Sequence, residues 1–97
     1  MKLGFAPSAR QDLRDIGDYI SRDSRKHART YVGRLREQCA KAALNPEAYP
    51  SLPHDDLTLK RAVFGAYNIY FSVRAHEVRI ERVIHGANDP APGQLRT

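Results

Sequence analysis

The spacing of apolar residues changes once along the chain, from a helical period in the first half to alternation in the second. The first helical stripe consists of Ala9, Leu13, Ile16 and Ile20. Spacings of this kind, four, three and four residues, are typical of an amphipathic helix. The helix starts either with Pro7 in its first turn or with Ser8 as a cap that is paired with Gln11. The short segment 2–5 is predicted as the first strand.

A second helix is predicted from Arg25 to Leu44, after polar residues that interrupt the pattern at 21–24. Its apolar stripe consists of Ala28, Tyr31 or Val32, Leu35, Cys39 and Ala42. Asn45-Pro46 ends the helix because proline cannot continue it. Two adjacent amphipathic helices with a short joint are expected to pair as an antiparallel hairpin, and both stripes then need a sheet to cover them.

Residues 45–57 are predicted to form an extended, acidic connector, since they carry three prolines, three acidic residues and no basic residue. Alternating apolar residues then predict three strands, over 59–64, 67–73 and 78–84, which form an antiparallel meander. The core face of the middle strand is assigned to Tyr67, Ile69, Phe71 and Val73. The element order is β-α-α-β-β-β. It predicts an α+β fold, with a helical hairpin on a small, mainly antiparallel sheet, and one domain over 1–97.

The composition excludes several classes of protein. No apolar run approaches the ~18–20 residues of a membrane span, and the first residues lack the apolar stretch of a secretory signal. The single cysteine, Cys39, excludes an internal disulfide and a cysteine-rich zinc site, and its place on the apolar stripe indicates a buried structural thiol. We therefore expect a cytoplasmic protein with no membrane segment, no metal and no cofactor.

The positive charge lies on the structured segments of the chain. Sixteen Lys and Arg residues against 11 Asp and Glu give a net charge of +5. Residues 1–44 carry +5, residues 45–57 carry −3 and residues 58–97 carry +3. This distribution favours a polyanionic or strongly acidic partner, although a solvated basic surface explains the same charge. The cations assigned to partner binding are Arg25, Arg29, Arg34, Arg36, Lys60 and Arg61.

His85 lies at the end of the last predicted strand and is a candidate for chemistry. With Arg61, Arg79 and Lys60 it would make a metal-free RNA-cleaving site, in which histidine moves a proton and the cations stabilise the charge on the phosphorane. The alternative is a structural histidine held by hydrogen bonds. The other histidines are assigned no role; they are His27, His54 and His76.

Arg82 conflicts with the pattern around it. Alternation places it between Ile80 and Ile84 on the core face, and a buried charge needs a partner. We expect Arg82 to be buried and paired with a carboxylate of the first helix, Asp12 or Asp15. The alternative is a sheet edge or a β-bulge that turns Arg82 outward.

Several segments together resemble the RelE/ParE superfamily of bacterial toxins, and the ParE branch in particular. One is Ala9-Arg10-Gln11-Asp12-Leu13-Arg14-Asp15-Ile16, at the opening of the first helix. Another is Arg82-Val83-Ile84-His85-Gly86, at the close of the last strand. The helix end Asn45-Pro46 and the strand 67–73 are also similar, so the resemblance covers about residues 3–89 in the same element order.

The resemblance implies a toxin of a type II toxin–antitoxin pair, held in a hetero-oligomeric complex by a ParD-like antitoxin with an acidic, partly disordered tail. ParE-like toxins inhibit DNA gyrase, whereas RelE-like toxins cut mRNA on the ribosome. RelE-type cleavage uses arginines at positions that correspond here to Asn68 and Asn88, and a later tyrosine, whereas no tyrosine follows Tyr70. These departures favour the gyrase-directed branch, which needs no catalytic residue. The alternatives are a RelE-like endoribonuclease and a non-toxic member that only binds the antitoxin.

Overall fold

The computed structural model describes residues 1–52 and 59–89, and it has the predicted element order. The elements are β1 Lys2–Phe5, α1 Pro7–Ser21, α2 Arg25–Leu44, β2 Leu59–Phe64, β3 Tyr67–Val73 and β4 Glu77–His85. Single 3-10 turns follow α2 and β4, at Pro46–Ala48 and Gly86–Asn88. The part of the predicted connector that contains His54 lies outside the described residues.

Local sequence sets the ends of both helices. Pro7 occupies the first turn of α1, where its missing N–H is not needed, and Ala6 before it makes no side-chain cap. The alternative in which Ser8 caps α1 is therefore wrong. Ser24 caps α2, since its hydroxyl accepts a hydrogen bond from the backbone N–H of His27 at 3.1 Å. The two helices are joined by only three residues, 22–24, which makes them an antiparallel hairpin.

The four strands form one mixed sheet in the order β1-β4-β3-β2. The neighbours β2, β3 and β4 pair antiparallel, as the meander predicted, while β1 pairs parallel with β4 from Lys2 to Phe5. The connector is not fully extended, because its start forms the 3-10 turn Pro46–Ala48. Ser51 then pairs with Lys60 at the edge of β2.

The helical hairpin covers one face of the sheet and forms the core with it. The buried helix residues of this core are Ala9, Leu13, Ile16, Leu35, Cys39, Ala42 and Ala43. The buried sheet residues are Ala62, Ile69, Phe71, Val78, Ile80 and Val83, and the predicted core face of β3 is confirmed. The opposite face of the sheet, which we name the outer face, carries the alternate residues of each strand.

A β-bulge at Glu81 changes which residues of β4 face the core. Phe71 pairs with Ile80 and Tyr70 with Arg82, so Glu81 has no partner of its own on β3. The extra residue moves Val83 into the core and turns Arg82 away from it. The expectation that Arg82 is buried between Ile80 and Ile84 is therefore wrong, and the alternative of a bulge is confirmed.

Candidate functional site

A groove of about 860 Å³ runs between α1 and α2, and its described lining residues all belong to these two helices. Its floor is apolar or small and consists of Leu13, Gly17, Ala28, Val32 and Gly33. A Cβ atom added at Gly33 would meet nothing within 4 Å, so the space above this glycine is open. The small residues at the centre of the hairpin therefore leave room for the apolar face of a bound segment.

Cations surround this floor. Arg14, Arg25, Arg29 and Arg36 line the groove and are all exposed, whereas Asp18 is the one carboxylate among its described lining residues. Arg36 is held over the ring of Phe5, with its guanidinium carbon 5.6 Å from the ring centre. We name this surface, floor and cations together, the arginine groove. Its chemistry fits an amphipathic segment whose polar face is acidic.

The six cations that the sequence suggested for partner binding do not form one surface. Arg25, Arg29 and Arg36 line the arginine groove, but Arg34 is exposed and does not line it. Lys60 is half-buried on the helix side of the sheet, where its ammonium group donates to the backbone carbonyl of Tyr49 at 2.8 Å. Arg61, one residue further along β2, points to the outer face. The sequence did not suggest Arg14 as a partner-binding residue, because Arg14 lies on the first helix, which also carries the aspartates.

The candidate nuclease residues are also apart. His85 lies beside Tyr67, with ring centres 5.1 Å apart, and its Nδ1 accepts a hydrogen bond from the backbone N–H of Ala87 at 3.0 Å. His85 pairs with Tyr67 and Lys60 with Phe71, so they are separated by four residues of β3, roughly 13 Å. Arg61 lies on the opposite face. The three residues therefore do not converge on one reacting group, and the structural role suggested for His85 agrees with its hydrogen bond.

The ion pair between the sheet and the first helix joins Arg82 to Asp12. Arg82 Nε and Nη2 donate to the two carboxylate oxygens of Asp12, at 2.8 and 3.1 Å. Asp12 also accepts the backbone N–H of Val83 at 2.8 Å, at the edge of β4 that β1 does not reach. The hydrogen bonds from Arg82 to Asp12 raise the pKa of Arg82. The other candidate, Asp15, accepts instead from Gln11 at 2.8 Å.

The outer face of the sheet contains a hydrogen-bonded cluster that the sequence did not indicate. Asn68 Nδ2 and the hydroxyl of Tyr70 donate to the same oxygen of Asp89, at 2.6 and 2.5 Å. Tyr70 is only 1% exposed, and this burial together with the hydrogen bond to Asp89 raises its pKa. Alternation alone would have placed Tyr70 on a solvated face, so only the structure connects it with Asp89.

Neither Cys39 nor a metal site adds further chemistry in the part of the chain that the structure describes. The thiol is fully buried, and burial raises the pKa of Cys39 to about 12, against the weaker opposite effect of Arg36. In the ranges 1–52 and 59–89, no group of three or more histidine, cysteine or acidic residues is placed to hold a metal ion. No helix within these ranges has the length and hydropathy needed to cross a bilayer.

Comparisons with known proteins agree with the fold. Residues 3–90 match the family model described as the ParE toxin of the type II toxin–antitoxin system parDE. A solved structure, the chromosomal ParDE toxin–antitoxin system from P. aeruginosa, is similar with a TM-score of 0.74 at 20% identity. The match covers 88% of this chain and 95% of that one. No curated protein sequence matches. Because the family model spans nearly all of the described residues, this chain belongs to the ParE toxins of type II toxin–antitoxin systems.

Proposed function

We propose that this toxin inhibits DNA gyrase by binding it, and that an acidic, ParD-like antitoxin neutralises the toxin in a hetero-oligomeric complex. The family resemblance supports the target, and the arginine groove supports the antitoxin site. A gyrase inhibitor acts where the chromosome is, in the cytoplasm. It needs no catalytic residue and no cofactor of its own.

The arginine groove is the observation that supports the antitoxin site. An apolar floor between two helices, with four arginines around it, suits an amphipathic helix that carries carboxylates along its polar edges. A tail that is disordered when free would bury its apolar residues on the floor and fold at the same time. The arginines would mainly guide the encounter, while the apolar contacts would set the lifetime of the complex.

The separation of His85, Lys60 and Arg61 supports a toxin that binds rather than cleaves. General acid–base catalysis requires the acting groups to reach one substrate at hydrogen-bond distance. Here one cation is bonded to the backbone carbonyl of Tyr49 and the other lies on the opposite face of the sheet from His85. This arrangement disfavours the endoribonuclease alternative.

Two assays on the same purified toxin test the target. Gyrase supercoiling should be inhibited in proportion to toxin concentration, and mRNA on ribosomes should remain intact. The His85→Ala variant should inhibit supercoiling nearly as well as the unaltered toxin, because no chemical step depends on it. Ribosome-dependent cleavage that falls by roughly 10²–10⁴-fold in His85→Ala would instead establish the nuclease. Inactivity in both assays, with intact antitoxin binding, would identify a non-toxic member.

A further inference from the structure

Three side chains form a row across the outer face of the sheet. Arg61 of β2 lies opposite Tyr70 of β3, and Tyr70 lies opposite Arg82 of β4. Residues that are directly opposite on neighbouring strands share a face, with Cβ atoms about 4.5–5.5 Å apart. The row therefore places a tyrosine between two arginines. Hydrogen-bond donors in this arrangement favour an oxyanion, because guanidinium groups bind carboxylate and phosphate in a planar, two-pronged manner.

The chain's own Asp89 occupies the position that such an oxyanion would take. One of its carboxylate oxygens accepts from both Tyr70 and Asn68, and Asn68 lies two residues before Tyr70 on the same face. The positive charge of Arg61 acts on the hydroxyl of Tyr70, and the charge of Asp89 acts on Arg82. The carboxylate therefore accepts from two neutral donors of β3 and lies beside a row that has one arginine on each neighbouring strand.

The carboxylate of Asp89 is itself incompletely hydrogen-bonded in this position. The second oxygen of Asp89, Oδ1, is buried and has no hydrogen-bond partner among the described residues. A buried carboxylate oxygen without a donor carries an uncompensated desolvation cost. An anion that enters from solvent would keep its remaining oxygens hydrated and avoid this cost. A better-fitting anion would therefore compete with the carboxylate of Asp89, even though Asp89 belongs to the same chain and is always close to the site.

We propose that Arg61, Asn68, Tyr70 and Arg82 form a phosphate-binding site on the outer face, and that Asp89 occupies and closes this site. The ligand is a phosphate group, either free or within a nucleotide or polynucleotide. Arg82 uses Nε and Nη2 for Asp12, and in ranges 1–52 and 59–89 its Nη1 and the fork of Arg61 have no hydrogen-bond partner, so they remain for the ligand. A phosphate, with more oxygens than a carboxylate, suits two arginines on either side of one tyrosine. This site is independent of the arginine groove and of the proposed target.

Replacement of Asp89 tests the site directly. Titration calorimetry of Asp89→Ala with inorganic phosphate, with a nucleoside monophosphate and with ten-nucleotide RNA and DNA strands should show binding. We expect it to be about ten- to a hundredfold tighter than in the unaltered protein. The control is Asp23→Ala, which removes one negative charge from the exposed turn between the helices. Arg61→Gln added to Asp89→Ala should abolish the gain.

The outcomes separate the parts of the proposal. Phosphate binding by Asp89→Ala that is no tighter than by Asp23→Ala would overturn the site, and an undiminished gain with Arg61→Gln would overturn the row. A gain for a glutamate-rich peptide, without one for any phosphate ligand, would overturn the ligand class. If Asp89→Ala does not fold, Asp89→Asn keeps the shape of the side chain and removes only its charge. It should then bind phosphate more tightly than Asp23→Ala, and equal binding by the two would likewise refute the site.

Discussion

Asp12 does more for the structure than the arginine with which it pairs. Its carboxylate accepts the backbone N–H of Val83 as well as two nitrogens of Arg82, and thereby joins α1 to the unpaired edge of β4. The two partners also differ in exposure, since the Asp12 side chain is 13% exposed and that of Arg82 is 48% exposed. Removal of Asp12 leaves a strand N–H without an acceptor, whereas removal of Arg82 leaves a carboxylate that still accepts from Val83.

Asp12→Ala should therefore destabilise the protein more than Arg82→Met does. We expect a loss of about 2–3 kcal/mol in the free energy of unfolding for Asp12→Ala, because a half-buried backbone donor loses its partner. A half-exposed ion pair contributes much less, so Arg82→Met should cost about 1 kcal/mol or less. Urea unfolding measures both, with the exposed Asp15→Ala as control. Equal losses at Asp12 and Arg82 would contradict the role assigned to the Val83 contact.

The buried thiol of Cys39 makes stability depend on pH in the alkaline range. Its pKa is about 12 in the folded protein and near 9.0 in an exposed thiol. The unfolded chain therefore loses this proton first as the pH rises, and the free energy of unfolding should fall between about pH 9 and pH 12. Below pH 9 the thiol is protonated in both states and has no effect on the pH dependence.

Cys39→Ala is the matched variant for this prediction. It should be less stable at neutral pH, because it leaves a small cavity in the core, and it should have a shallower alkaline decline. Tyr67 and Tyr70, whose pKa values are also raised by burial, contribute in the same direction and remain in both proteins. Urea unfolding at pH 7, 9 and 10 measures the difference. Parallel declines in the two proteins would exclude Cys39 as a cause.

At the scale of elements, the β2–β3 hairpin depends on one glycine and on a residue of α2. Gly65 has φ +56°, a conformation that residues with a Cβ atom seldom adopt. An added Cβ atom would also lie 2.8 Å from the hydroxyl oxygen of Tyr31. Tyr31 packs edge-on against Phe64 and lies near Tyr67. This tyrosine therefore connects α2 with the turn between β2 and β3.

Gly65→Ala should destabilise the protein through two separable effects. The left-handed conformation costs about 1–2 kcal/mol, and the close approach to Tyr31 adds to it. Tyr31→Phe removes the hydroxyl that an added Cβ atom would meet, so the double variant should recover the second part of the loss but retain the first. Thermal unfolding of the two single variants and the double variant checks this. Simple additivity would show that the contact with Tyr31 carries no energy.

At the scale of the whole molecule, positive charge is divided between two separate surfaces. The arginine groove carries four arginines on the helical hairpin, and the row with Arg61 and Arg82 lies on the outer face of the sheet. Asp12 and Asp89 balance much of the charge of this row, whereas Asp18 is the one carboxylate among the described residues that line the groove. The groove is therefore the surface that should attract an acidic partner from a distance.

Charge reversal in the groove should slow antitoxin association. Arg25→Glu with Arg29→Glu should lower the association rate constant at least tenfold at low salt and weaken its dependence on ionic strength. Arg34→Glu with Lys26→Glu, on the same helix but outside the groove, is the control with an equal change in charge. Stopped-flow mixing at 50 and 500 mM salt measures both. An association rate that is equally affected in the two pairs would exclude the groove as the specific site.

The residue pattern by itself determined the order and type of the elements, since each follows from local periods and breakers. Helical spacing, Pro7, Ser24 and Asn45-Pro46 act within a few residues of where they stand, so both helices and the core faces of α2 and β3 could be predicted. The charge of the second helix likewise pointed to three of the four groove arginines. The ParE resemblance rested on the same local segments.

Only the tertiary structure decided where distant segments meet. The period of apolar residues does not indicate which strand β1 pairs with. The alternation in β4 does not indicate a bulge either, because only the pairing with β3 shows that Glu81 has no partner there. The bulge in turn decides that Arg82 reaches Asp12, 70 residues away in the chain, rather than the core. In the same way, Lys60 and Arg61 are adjacent in sequence but lie on opposite faces, whereas Tyr70 and Asp89 are 19 residues apart and share a hydrogen bond. Local patterns fix each element because their interactions are local, while sites assembled from several elements depend on pairing and register, which only the folded chain sets.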